Sequence, residues 1–448
     1  MRYLTLYLFL LCVTTHAVEP DFSGMSYLDN GEIRVGVNLD IGGAITWLSK
    51  SGSDENIVNS HDWGRQIQMS FYSGPIPFEP NGKKPKEHWK FLGWNPIQSG
   101  DTYGNPSRVT DHENDGKKIF AECTPMHWPL DNEAAECRFV VIVRLEGNTV
   151  QVQSTLFNKR SDKTVYATRG QELPAVYTNG SYYRLFSYDG EEPFEGESLR
   201  RITKVWDSSK SPQEMEGGPW DHWYATENWA ALVNDDNFGL GIYSPGTYSF
   251  VGGFAGKPGS SGPKDAPTGY IAPTRREILD HNLMYRYTYT LIVDTLGGIR
   301  NTVYELASDR KPPSYTFLSG LSKRQSWVVE DCEEDWSRNG FWSIYPNGMN
   351  PQLIGPDSFW EASEVDAICI RAAFNTGTTI ATLQWEGFGD GSGGSVDFPI
   401  VSDWRMRDYT VNLKGLEGYE GTCKRLSFSF MTDSGAGRVI VFESIDFE

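Results

Sequence analysis

The feature that most constrains this chain is the alternation of apolar and polar side chains with a period of two. Arg138 to Leu145 and Thr149 to Phe157 both alternate, and Gly147-Asn148 lies between them. A period of two is that of an extended strand, and two such runs flanking a Gly-Asn pair read as a hairpin. Glu32 to Val37 repeats the pattern, and Met284 to Val293 places Tyr285, Tyr287, Tyr289 and Leu291 on one side. That side suits the aromatic inner face of a wide sheet. A single helix is expected over Thr295 to Ser308, where Ile299, Val303 and Leu306 share a face. The fold class is all-β.

With 448 residues the chain exceeds one ordinary core. Residues 1–17 carry Arg2, an apolar stretch from Leu4 to Val13 and the small-residue ending Thr15-His16-Ala17, the pattern of a cleaved secretory signal. The apolar stretch is far shorter than the roughly 20 residues of a spanning helix, so the expectation is a secreted protein with no membrane span. A large unit is expected over 21–310, a polar Pro-Pro linker over 311–324 and a smaller β-sandwich over 325–448. Long Gly- and Pro-rich loops fall at 74–85, 252–273 and 387–394.

The formal charge of −19 argues against nucleic acid and anionic membranes, both of which need a basic footprint. Beyond the leader remain Cys123, Cys137, Cys332, Cys369 and Cys423, an odd number for an oxidising compartment. A disulfide is expected between Cys123 and Cys137, which flank a polar stretch between two strand-like runs. Asn179-Gly180-Ser181 is the one N-glycosylation sequon. No Cys-x-x-Cys or His-x-x-x-His spacing, nucleophile elbow or phosphate loop occurs, so no cofactor and no zinc are expected.

Chemistry concentrates in Trp220, Asp221, His222, Trp223, Tyr224, Glu227 and Trp229. Aromatic rings stack on the C–H faces of sugars while acids hold their hydroxyls, so this run points to a carbohydrate ligand. Glycoside hydrolysis needs two carboxylates about 5–10 Å apart, one of them protonated. Glu172 and Glu227, each beside aromatics, form the expected pair, with Asp221 and Asp280 in reserve. Arg65, His61 and His222 would orient the sugar; Trp94, Trp220 and Trp223 would stack on it, with Asn95, Tyr177 and Tyr224 nearby.

Two resemblances extend this reading. Gly31 to Ser49 with its Gly42-Gly43-Ala44-Ile45 step, then His61-Asp62-Trp63-Gly64-Arg65, then Asn158-Lys159-Arg160-Ser161-Asp162, resembles the galactose-mutarotase-like β-supersandwich over residues 21–310. In epimerases of that fold an Arg, a His acid and a Glu base converge on the concave face. Arg65 stands where the Arg is expected, while Gln171-Glu172-Leu173-Pro174-Ala175-Val176-Tyr177 replaces the His motif. The segments 328–336 and 403–413 resemble the jelly-roll modules appended to carbohydrate-active enzymes. In such modules the first acidic segment sometimes holds structural calcium, which makes Asp331 and Glu333 the candidates. The leading expectation is a secreted glycoside hydrolase acting on a polysaccharide. The alternatives are a polysaccharide lyase, using His222, Tyr224, Asn95 and Arg65, or a non-catalytic glycan-binding matrix protein. Scattered carboxylates would favour the binder.

Overall fold

A computed structural model describes residues 22–207, 210, 214–259, 261–318, 324–389, 393–430 and 438–448. The leader read at 1–17 lies outside them, as do parts of the 311–324 and 387–394 segments. Among the described residues no helix is long and apolar enough to cross a membrane.

The described residues form two pairs of sheets. The first pair joins an 11-stranded sheet to a nine-stranded one. The larger sheet runs Met25–Asp29, Ile33–Asn38, Ala44–Lys50, Ile67–Ser70, Arg169–Asn179, Thr268–Glu277 and Ser249–Ala255, with Asp221–Tyr224 and Val205–Trp206 at its far edge. The smaller one centres on Met284–Thr295 between Phe238–Tyr243 and Thr149–Asn158. Alternate residues of both sheets, among them Val35, Ile67, Leu173, Ile271, Val141, Val152, Tyr287 and Leu291, fill one shared core. This is the all-β supersandwich, and the aromatic face of Met284–Thr295 lies inside it.

The expected hairpin is Cys137–Glu146 with Thr149–Asn158, in register from Glu146 opposite Thr149 to Cys137 opposite Asn158. Gly147 takes a φ of 52°, as the first position of a two-residue turn requires. The helix spans Leu296–Ala307, with the Thr295 hydroxyl accepting from Gly298 N at its start. Ile299, Val303 and Ala307, spaced four apart, pack on Trp229, Tyr243 and Ile292 of the nine-stranded sheet. Leu306 is not part of that face and stands 40% exposed.

Residues from 314 onward build a second pair of six-stranded sheets around Trp327, Trp342, Phe374, Phe428 and Phe442. Ser314–Thr316, expected in the linker, instead pairs with Val439–Phe447 as an edge strand of this sandwich. Its packing is β-sheet on β-sheet, with aromatic residues dominating the buried layer.

The five cysteines after the leader are free thiols. Register corrects the expected bridge: Cys123 lies opposite Phe139, and Cys137 pairs with Asn158 on its other side. Burial pushes both thiols up, which keeps them protonated and unreactive. Asn179 is buried and its Nδ2 donates to Asn56 O at 2.6 Å, so the sequon offers no free amide in the folded chain.

Candidate functional site

The two faces of the 11-stranded sheet have different fates. One lines the shared core; the other, turned outward, carries Ala175, Val251, Tyr270 and Ala272 with Tyr177 and Trp220 packed against them. Period-two geometry would place Glu172 and Tyr177, five residues apart, on opposite faces. A bulge between Glu172 and Val176 shifts the register, so Glu172 pairs with Ser70 and Thr274 while Tyr177 pairs with Tyr270. The extra residue brings both side chains outward.

Around Glu172 a small polar and aromatic site is closed. The Tyr270 hydroxyl donates to Glu172 Oε1 at 2.5 Å, and Ser70 Oγ donates to the Tyr72 hydroxyl at 2.9 Å. Tyr177 and Trp220 flank Tyr270 with ring centroids 4.7 and 4.8 Å away, and Trp206 meets Trp220 at 5.4 Å. Burial raises the proton affinity of Glu172 above the usual carboxylate range, and hydrogen bonds from Tyr270, Tyr72 and Ser70 oppose that rise only in part. Burial, and next the Glu172 charge, push the Tyr72 and Tyr270 phenols well above their usual range. Both phenols are therefore fixed donors, and Glu172 is a carboxyl group suited to holding a proton.

Of the residues singled out in the sequence, Glu172, Tyr177 and Trp220 meet here, and His222 shares the outward face, opposite Val251. Arg65 lies close enough to Tyr177 for its charge to be felt. It pairs with Asp62 at 3.2 Å and donates to Ala266 O. His61 Nδ1 sits 2.8 Å from Lys264 O, bracing the loop between Ser249–Ala255 and Thr268–Glu277, which is shorter than the 252–273 expected because both its ends are strand.

Others have different partners. Trp223 points inward and is buried in the shared core, and Trp94 is buried there too, leaving neither a face for a ligand. Asn95 is fully buried, with Nδ2 donating to Phe71 O. Tyr224 packs on Phe359 and Phe388 of the C-terminal sandwich. Asp221 is bound by Arg200 at 3.0 Å.

Glu227 is 0% exposed and accepts from Phe194 N, Trp229 Nε1, Arg300 Nη2 and the Tyr304 hydroxyl. Arg300 and Tyr304 belong to the helix on the outer side of the nine-stranded sheet, so Glu227 is separated from Glu172 by the layered core. The expected acid and base pair is not assembled.

Ser70, Tyr72, Tyr270 and Trp206 went unread in the sequence. Tyr270 lies 98 positions from Glu172, and only the pairing of their strands joins them. In the C-terminal sandwich, Asp331 uses Oδ2 to accept from Asn350 N. Among the described residues no three metal-ligating side chains come together.

Replacing Glu172 with glutamine is expected to stabilise the fold at neutral pH. A carboxyl whose folded pKa is raised above 4.5 favours the fold at low pH, and that contribution is lost as pH rises through the folded value. The gain for Glu172→Gln should therefore be present near pH 7 and shrink toward pH 4. Denaturant midpoints for both chains across that range check it, and a gap that does not change with pH would refute the assignment.

No protein-family model matches this chain. No curated protein matches it either. Among solved structures it is similar to a putative aldose 1-epimerase from Escherichia coli K12, at 11% identity over 61% of this chain and 99% of that one, with a TM-score of 0.37. It is also similar to a galactose mutarotase related enzyme from Lactobacillus acidophilus, at 14% identity over 60% of this chain and 97% of that one, with a TM-score of 0.34. A low-affinity xylan binding module from Roseburia intestinalis is similar at 16% identity over 30% of this chain and 95% of its own, with a TM-score of 0.22.

Proposed function

We propose that this is a secreted carbohydrate-binding protein whose ligand lies on the outward face of the 11-stranded sheet. The observation that carries the reading is the half-buried pair Trp220 and Tyr177, packed on either side of the buried Tyr270 and beside a half-buried carboxyl, Glu172, whose proton affinity burial raises. Aromatic faces take the C–H side of a pyranose, and a carboxyl beside them hydrogen-bonds its hydroxyls. Hydrolysis by an acid and base pair needs a second carboxylate about 5–10 Å from the first, a role that Glu227 does not fill. Export is supported by the leader pattern at 1–17.

A second reading, catalytic, rests on the same carboxyl: raised proton affinity is what a general acid requires. One experiment separates the two. The purified protein is incubated with a panel of neutral and uronic polysaccharides while retention, new reducing ends and the ultraviolet absorbance of unsaturated sugars are followed together. Retention without either product signal is the expected result. Reducing ends alone, lost in Glu172→Gln, would establish a hydrolase, and both signals together a lyase. For the retained glycan, Trp220→Ala should weaken affinity about tenfold, roughly 1.4 kcal/mol. An unchanged affinity would remove this face from consideration.

A further inference from the structure

Where the outward face meets the C-terminal sandwich there is a cleft of about 670 Å³. Its floor continues the site: Thr274, which lies across the ladder from Glu172, pairs on its other side with Ser249, and Ser249 pairs with Tyr224. All three line the cleft, together with Gly170 and Arg276, one step further along the same outward row. The opposing wall comes from the C-terminal sandwich, through segments that include Val328 to Glu330 and Ile354 to Asp357.

The charges in this cleft do not cancel. Arg425 is matched by Asp357 at 2.6 Å and by Glu386 at 3.5 Å. Arg275 uses Nε on the Thr247 hydroxyl at 2.8 Å and Nη2 on Pro245 O at 3.1 Å, both neutral acceptors. Arg276 is exposed and makes no ion pair among the described residues. It stands opposite Gly170, above which an added Cβ would meet nothing within 4 Å. The Thr168 hydroxyl, also lining the cleft, is buried without a partner. Glu330 is the remaining carboxylate of the lining, and it is exposed. Arg275, the neighbouring residue of the same strand, has the Glu277 carboxyl close by, so Arg276 is the guanidinium left without an ion-pair partner, in a protein whose formal charge is −19. A planar guanidinium with free donors binds carboxylate and sulfate oxygens in pairs.

We propose that this cleft is a subsite for an anionic sugar substituent, a carboxylate or a sulfate ester, on the unit next to the one held at Glu172. Arg276 binds the anion, and the C-terminal sandwich supplies the wall that bounds the cleft on its far side. The proposal rests on the glycan-binding reading and narrows it to acidic glycans.

Calorimetric titration of the full chain with three oligosaccharides of matched length tests it: a galacturonate oligomer, a sulfated carrageenan oligomer and a neutral galactan oligomer. At least one anionic oligomer should bind about tenfold more tightly than the neutral one at low salt, and that preference should fall as salt is raised. Whichever of the two binds more tightly identifies the anion as uronate or sulfate. Arg276→Gln should abolish the preference while leaving the neutral affinity in place. Arg276→Lys, which keeps the charge but not the fork, should restore part of it. Equal affinities for neutral and anionic oligomers, or a preference that survives Arg276→Gln, overturn the acidic subsite while leaving glycan binding intact. Silence with all three, together with silence across the polysaccharide panel, overturns the glycan reading itself and this subsite with it.

Discussion

Glu227→Ala is expected to cost the fold about 3–5 kcal/mol, the range for stranding one partner of a buried ion pair. Glu227 is fully buried and pairs with Arg300 at 2.9 Å, whose own side chain is 15% exposed. Truncation would strand that guanidinium and leave Trp229 Nε1, Phe194 N and the Tyr304 hydroxyl without their acceptor. The helix would lose its buried ion pair with the sheet and rely chiefly on the apolar contacts of Ile299, Val303 and Ala307. Denaturant unfolding gives the cost directly, and glycan affinity measured on the folded fraction should be unchanged. A variant of wild-type stability that has lost ligand or turnover would reinstate Glu227 as a site residue.

Arg324→Ala should have an effect of similar size, about 3–5 kcal/mol, through the junction of the two sandwiches. Arg324 is 5% exposed and reaches Asp280 at 2.8 Å in the first sandwich and Glu334 at 2.6 Å in the second. Glu334 is held in turn by Trp342 Nε1 at 2.6 Å, so the network reaches the second core. Without the guanidinium, two carboxylates face each other across a dry junction, and their repulsion adds to the lost bonds. Unfolding should separate into two transitions, against a single one expected for the wild type. A single transition at the wild-type midpoint would mean that the junction holds by apolar packing alone. By contrast, Lys84→Ala removes an exposed pair with Glu79 and should shift stability by less than about 1 kcal/mol.

Much of the architecture was legible because strand alternation is a local property. The Gly147-Asn148 hairpin, the tyrosine row of 285, 287 and 289, and the helix after Thr295 each follow from neighbours a few positions apart. Leu306 was misplaced because helical spacing alone does not say which side of a wide apolar arc the sheet will meet. The Cys123 to Cys137 bridge failed for a related reason: spacing brings two strands near each other, and only register says which residues stand opposite.

The site was legible in part. Trp220, Tyr177 and Glu172 lay in segments whose aromatic and acidic content marked them, and the sandwich brings them to one face. Trp223 shared the same local composition and went inward, since successive strand residues point to opposite sides. Glu227 shared it too and became the anchor of a helix some seventy positions later in the chain.

The sequence by itself determined an all-β chain with one helix, and it marked the segments rich in aromatic and acidic side chains, because periodicity and composition are written along the backbone. Tertiary structure alone decided which carboxylate faces outward, that Tyr72 and Tyr270 close around it, and that Arg276 stands uncompensated beside it. Those outcomes depend on a bulge that resets side-chain direction, and on strand pairings between residues nearly a hundred positions apart. No local pattern encodes either one.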